Sequence, residues 1–174
     1  MKYLIFNVIV FLCFSCFANA QGQQNVRNVH LQGGTVNGGL HIASGIENFF
    51  GQDNTNRIFL TLNYQRLTRS VKVGQMVLKE QNAFLSTGYR KYFPVSYRIS
   101  PYVGVNVLAG YQYVGNSKNG ILAHKSTTDF LYGAGAHSGI EYRLNNSLSF
   151  FLEGAYLFEF DHSWILSVGV KYYF

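Results

Sequence analysis

Residues 163–174 read SWILSVGVKYYF. Trp164, Leu166, Val168, Val170, Tyr172 and Phe174 fall on every second position, and Ile165, Ser167, Gly169, Lys171 and Tyr173 occupy the opposite face of an extended chain. The first face is apolar throughout, with aromatic residues at both ends and aliphatic ones between. The second mixes small, polar and charged groups. A soluble sandwich strand seldom carries that distribution, whereas strands that cross an outer membrane present an apolar band to lipid between two aromatic girdles. The segment therefore predicts one stave of a small transmembrane barrel, with Trp164 at one membrane interface and Tyr172 and Phe174 at the other.

The same period of two recurs through the chain. A first strand is predicted over 29–35, turning at Asn37-Gly38, a strong hairpin signal. A second, over 39–49, sets Leu40, Ile42, Ser44 and Ile46 against His41, Ala43, Gly45 and Glu47. After the loop 51–56 (GQDNTN), Ile58, Leu60, Leu62 and Tyr64 alternate with Phe59, Thr61, Asn63 and Gln65. Residues 66–80 read as a polar connection with a short apolar piece at 75–78. Ala83, Leu85, Thr87 and Tyr89 then oppose Phe84, Ser86, Gly88 and Arg90, and Pro94 ends the fourth strand. In the fifth, Val103 to Val107 and Ala109 lead on one face to Tyr111 and Tyr113, interface aromatics like those of the last strand. After a polar loop at 115–129, the sixth strand turns His137, Glu141 and Arg143 inward. The seventh turns Phe151, Glu153 and Glu159 inward, following a tight turn at Asn145-Asn146 and preceding one at Asp161-His162. The fold class is all-β: an eight-stranded antiparallel up-and-down transmembrane barrel over 29–174.

Charge placement fixes the faces. In this register His41, Glu47, Arg90, His137, Glu141, Arg143, Glu153, Glu159 and Lys171 all point inward. Sliding a strand by one residue would exchange its faces, and a Lys or Arg at the bilayer midplane costs about 2–4 kcal/mol. A barrel of eight strands is just wide enough for side chains to fill. These groups are therefore expected to form a mixed-sign network that plugs the lumen. Inward Gly88, Gly104, Gly110, Gly133, Gly135, Gly139 and Gly169 leave room for Phe84, Phe151 and Tyr173. In this scheme Lys171 faces Glu141, Glu153 or Glu159.

The N-terminus supplies an address. Lys2 precedes an apolar run from Tyr3 to Phe17 that ends in Ala18-Asn19-Ala20, the small-x-small form of a leader-peptidase site. Residues 1–20 are expected to be a secretory signal peptide, cleaved to leave Gln21 first, with 21–28 a periplasmic lead-in. Cys13 and Cys16 would leave with the leader, so the mature chain would have no disulfide or thiolate chemistry. No later apolar run reaches helix-spanning length, so crossing a membrane requires a closed sheet. The chain is 13% charged, with a net charge of +6 that becomes +5 without Lys2. Its basic residues are scattered singly, which speaks against direct nucleic-acid binding. The mild positive balance is better matched to outer-membrane lipid and lipopolysaccharide phosphates, with Lys118 and Lys125 as the loop contacts. Placing both termini in the periplasm puts the two longest connections, 66–80 and 115–129, on the cell surface of a Gram-negative outer membrane, the side where such barrels carry long loops.

Candidate chemistry is sparse. Glu141 and His137 lie two inward steps apart, but charged neighbours within a plug account for both. His124 and Ser126 face one side of an extended chain, a spacing similar to that of outer-membrane lipid A deacylases, and Glu141 would be the orienting carboxylate. The pair sits in a polar loop without an apolar strand around it, so the chain reads as a non-enzyme. No metal-ligand cluster, phosphate loop or nucleotide fingerprint occurs, and no cofactor is expected.

The chain resembles the TraO family of conjugal transfer proteins, carried by conjugative transposons of Bacteroidetes. The likeness runs in order along the mature chain: the leader ending at Ala20-Gln21, then LQGGTVNG at 31–38, VLAGY at 107–111, YGAG at 132–135 and LSVGVK at 166–171. The resemblance implies an outer-membrane component of a conjugative DNA-transfer apparatus, with other proteins of that apparatus as partners. It brings no catalytic or ligand residues. The alternative reading is a stand-alone barrel similar to OmpX, serving adhesion, envelope stability or a narrow pore. The terminal Phe174 resembles the aromatic signal read during assembly of outer-membrane barrels.

Overall fold

The computed structural model describes residues 27–50, 55–71, 76–117, 127–158 and 163–174. They form eight strands: β1 (Arg27–Val36), β2 (Gly39–Phe50), β3 (Asn56–Val71), β4 (Met76–Tyr92), β5 (Ile99–Ser117), β6 (Thr127–Arg143), β7 (Leu148–Phe158) and β8 (Ser163–Tyr173). Each pairs antiparallel with its sequence neighbours, and β8 returns to β1, so the sheet closes into a barrel in the order β1 to β8. Closure runs from Asn28 opposite Tyr173 to Val36 opposite Ile165. Backbone bonds between Arg27 and Phe174 finish the seam, the Phe174 N–H donating to the Arg27 carbonyl at 3.0 Å. Among the described residues every strand is paired on both sides over at least part of its length, so closure leaves no wholly open sheet edge.

Turn chemistry explains the short connections. Asn37 and Gly38 both have positive φ, 44° and 80°, as a type I′ hairpin demands. At the β6–β7 turn the Asn145 Oδ1 accepts the N–H groups of Ser147 and Leu148 at 2.9 and 2.8 Å, an Asx turn. In the β4–β5 turn the Ser96 hydroxyl accepts from the N–H groups of Arg98 and Ile99.

The barrel is inside out relative to a soluble protein. Leu166 and Val168 are 58% and 62% exposed on the outer face, whereas Lys171 on the same strand is fully buried. Burial alternates along β8 from Ser163 to Tyr173. Such an exterior suits hydrocarbon, and a polar interior suits a lumen.

Several boundaries differ from the expectation. Arg27 and Asn28, assigned to the lead-in, belong to β1. The connection at 66–80 is mostly strand, because β3 runs to Val71 and β4 starts at Met76. Likewise β5 continues to Ser117 and β6 starts at Thr127. Above a membrane both strand faces meet water, so polar residues there do not end pairing. The barrel is consequently taller on one side: β3 to β6 span 16–19 residues, and β1, β2, β7 and β8 span 10–12. The leader at 1–20, lead-in residues 21–26, loop residues 51–54, Lys118, His124, Lys125, Ser126, Glu159 and the Asp161-His162 turn lie outside the described residues.

Candidate functional site: a plugged lumen

Inward positions of neighbouring strands meet at fixed heights because the register is fixed. Toward the tips of the tall hairpins, Val36, Leu67, Phe84, Leu108, Leu131, Leu157 and Ile165 pack into one buried apolar cluster. Toward the end that carries the termini the lumen is charged. Arg57, Arg90 and Lys171 face Glu47, Glu141 and Glu153, all of them buried, so the formal charges cancel.

Glu47 on β2 is the hub. Its Oε2 accepts from Lys171 Nζ at 2.9 Å, Asn28 Nδ2 at 2.9 Å and Arg57 Nη1 at 3.3 Å. Its Oε1 accepts from Arg90 Nη1 at 3.1 Å and the Tyr92 hydroxyl at 3.3 Å. Glu141 receives Arg57 Nη1 at 3.1 Å, lies 3.2 Å from Lys171 Nζ and accepts the Tyr173 hydroxyl. Glu153 accepts Arg90 Nη2 at 2.7 Å and the Tyr102 hydroxyl at 2.9 Å. Rings cover the remaining guanidinium faces: Arg57 lies 3.5 Å from the Tyr92 centroid and 4.1 Å from that of Phe49, and Arg90 lies 4.3 Å from Phe59. Tyr92 and Tyr102 stack at 4.8 Å. Desolvated charges of this kind persist only where opposite charges and hydrogen bonds surround them, as they do here.

The histidines bridge the two layers. His137 Nε2 meets Arg90 Nε at 3.1 Å, and its ring packs edge-on against Phe59. His41 faces Gln32 at 3.4 Å, and His30 faces the Thr61 hydroxyl at 3.2 Å. Between them and the apolar cluster the cavity is only about 30 Å³, lined in part by Gln32, His41, Asn63, Ser86, Asn106 and His137. That is the room of about one water molecule. Among the described residues, a charged layer, a small polar chamber and an apolar cluster follow one another along the lumen.

The structure brings His41, Glu47, Arg90, His137, Glu141, Glu153 and Lys171 together in the lumen. Lys171 meets Glu47 and Glu141, while Glu153 belongs to Arg90. Arg143 stands apart at the mouth, 5.4 Å from the Tyr173 ring. Arg57 was missed by the sequence reading although it has the inward parity of Phe59, because it adjoins the polar loop 51–56. Glu80, which Gln112 and Asn82 reach at 2.6 and 3.1 Å, was likewise placed in a connection rather than on β4. Glycines act as expected at the closest approaches. A side chain at Gly169 would strike the Phe151 ring, and one at Gly110 the backbone and Cβ of Phe84. The Tyr173 ring lies 5.8 Å from the Arg57 guanidinium.

His124 and Ser126 lie outside the described residues, while Glu141 sits fourteen positions beyond Thr127 on β6, roughly 45 Å of strand. Its oxygens are also engaged by Arg57, Lys171 and Tyr173. Among the described residues, no group of three His, Cys, Asp or Glu is placed to hold a metal ion.

On the outer surface Tyr111, Tyr113, Trp164, Tyr172 and Phe174 are all exposed. Tyr111 packs edge-on with Phe130, which stacks on Tyr132, and Tyr156 joins Phe158 to Trp164. These rings form a partial girdle near the hairpin tips, and Tyr172 and Phe174 stand at the opposite end.

The fold is similar to that of solved outer-membrane barrels. The N-terminal β-barrel domain of Pseudomonas aeruginosa OprF superposes with a TM-score of 0.63 at 15% identity, over 87% of this chain and 98% of that one. A major outer membrane protein from Thermus thermophilus gives 0.66 at 12% identity, over 87% and 100%. Ail, the attachment invasion locus protein of Yersinia pestis, gives 0.54 at 11% identity, over 86% and 97%. No protein-family model matches the chain, and no curated protein matches it in sequence. The likeness to conjugal transfer proteins therefore rests on the quoted residues alone.

Proposed function

We propose that this protein is a non-enzymatic outer-membrane barrel that acts through its two ends, as an anchor for other envelope components, and not as a conduit. The observation that carries this reading is the filled lumen, in which a charge-balanced network and an apolar cluster flank a cavity of about 30 Å³. The sequence resemblance to the TraO family gives the anchor a process, conjugative DNA transfer, in which the barrel holds part of the apparatus at the outer membrane. Export by a cleaved leader and contact with lipopolysaccharide through the surface loops belong to the same reading.

Deleting the gene from a donor strain tests it. The expected result is loss of DNA transfer, restored by a plasmid-borne copy, with unchanged uptake of small solutes. Purified barrel in planar bilayers should show no steady open-channel current; sustained conductance would sink the sealed-anchor reading.

The same geometry also fits a stand-alone barrel for adhesion or envelope stability. The tall β3–β4 and β5–β6 hairpins favour it, and Ail, whose fold is similar, is named for attachment and invasion. Normal transfer by the deletion strain together with reduced adherence or detergent resistance would select this reading.

A further inference from the structure

At the end that carries the termini the barrel opens on a vestibule of about 440 Å³, whose lining includes Phe49, Arg57, Tyr92, Tyr97, Arg143 and Tyr173. Ligand pockets run from about 300 to 1,000 Å³, so this one has room for one large side chain and the backbone that bears it. Four aromatic rings, those of Phe49, Tyr92, Tyr97 and Tyr173, stand in its walls. Its described lining carries two arginines and no carboxylate.

The two arginines are not equivalent. Arg57 forms the floor, its charge balanced by Glu47 and Glu141, yet its buried Nε has no hydrogen-bond partner. Arg143 is half-buried at the wall with its guanidinium over Tyr173, and among the described residues no carboxylate pairs with it. The deeper cations Arg90 and Lys171 are matched within the plug. Among the described residues the vestibule thus has a surplus positive charge set against aromatic rings. The wall is also held in advance: the Tyr97 hydroxyl donates to Asn146 Oδ1 at 2.9 Å, tying the β4–β5 turn to the β6–β7 turn. Ser96 and Ser100 add hydroxyls to the lining.

A planar guanidinium pairs two-pronged with a carboxylate, and aromatic walls cover an apolar body. Both demands are met by a chain end whose last residue is large and apolar, a recurring mode of peptide capture. We propose that the vestibule binds the C-terminal carboxylate of a periplasmic protein that ends in an aromatic or large aliphatic residue. Arg143 holds the carboxylate and the rings of Phe49, Tyr97 and Tyr173 enclose the side chain. A cell-wall stem peptide also ends in a carboxylate, but its terminal alanine would leave those rings uncovered. The periplasmic source rests on the reading that the termini face the periplasm.

The test uses the full chain refolded in nanodiscs, with binding followed by NMR at the Arg143 Nε–H and the Tyr97 ring. N-acetyl-phenylalanine should shift both signals. N-acetyl-phenylalaninamide and N-acetyl-alanine should bind at least about ten-fold more weakly, the loss of a charge-assisted or apolar contact. Arg143→Gln should weaken N-acetyl-phenylalanine by a similar factor, with Arg143→Lys intermediate and Lys91→Gln, outside the lining, without effect. Equal binding of acid and amide, equal binding of the alanine compound, or full affinity in folded Arg143→Gln would overturn the proposal. Orientation is read separately: Ser96→Cys should react with a membrane-impermeant maleimide only after the outer membrane is permeabilised. Labelling in intact cells would overturn the periplasmic source while leaving the binding chemistry to the titration.

Discussion

Lys171 Nζ lies 2.9 Å from Glu47 Oε2 across the β1 strand that separates them, with neither side chain reaching solvent. The pair joins the closing strand to the second hairpin arm, so the plug also braces the seam of the barrel.

Glu47 receives three cations, and its loss leaves Arg57, Arg90 and Lys171 facing only Glu141 and Glu153. Breaking a buried pair by removing one partner costs about 3–5 kcal/mol. Glu47→Gln should therefore lower unfolding free energy by about that amount, measured by urea titration of the refolded barrel in detergent. Glu47→Gln combined with Lys171→Met removes one charge of each sign and should recover part of the loss. A double-mutant cycle should give a coupling of about 1–3 kcal/mol, and strict additivity would mean that the hub does not act as one network.

Gly169 and Gly154 make a matched pair of tests on neighbouring strands. A Cβ at Gly169 would run into the Phe151 ring and come within 2.6 Å of the Leu31 carbonyl, whereas one at Gly154 meets nothing within 4 Å. Overpacking costs roughly 1–3 kcal/mol. Gly169→Ala should lose that much stability, and Gly154→Ala should be neutral within about 0.5 kcal/mol. Equal effects in the same urea titration would contradict the assigned faces.

The strands and their faces were legible because two independent patterns agree. Period-two alternation locates β2 to β8, and the requirement that Glu47, Arg90, Glu141 and Lys171 avoid lipid chooses which face is inner. The chain could not reveal who pairs with whom. The inward pattern offers Lys171 the carboxylates of Glu141, Glu153 and Glu159, but the stagger of a closed barrel brings it to Glu47 on β2 as well as Glu141. That stagger is a property of closure and leaves no mark within any one strand. Arg57 and Glu80 are hidden for a different reason: Arg57 is the first inward position after the polar loop 51–56, and Glu80 lies between the polar outward residues Lys79 and Gln81, so neither stands inside a run of clear alternation.

Phe174 closes the seam, its N–H donating to the Arg27 carbonyl while the side chain stays 67% exposed. Removing it deletes the two backbone bonds to Arg27 at the closure point together with the aromatic ring. The truncated chain should assemble into the outer membrane less efficiently than the full one, read as a reduced fraction of heat-modifiable barrel on a gel. Once assembled it should unfold only somewhat more easily, by about 1–3 kcal/mol for two lost hydrogen bonds. Normal insertion would remove the terminal aromatic from any part in assembly.

Trp164 is the chain's single tryptophan, which makes it a clean reporter of the outer face. It is 66% exposed, packs 4.5 Å from the Tyr156 ring and donates its backbone N–H to Asn37 Oδ1 at 3.0 Å, so it stands at the first hairpin tip. An indole there is placed at the headgroup level, with its apolar body in lipid. In vesicles its emission should be blue-shifted relative to the urea-unfolded chain. It should be quenched more by bromine carried on lipid near the headgroups than by aqueous iodide. Trp164→Ala should cost about 1 kcal/mol beyond the lost area, the usual worth of an aromatic pair. If iodide quenched the folded protein as strongly as the unfolded one, Trp164 would lie in water and the membrane boundary would have to be moved below the hairpin tip.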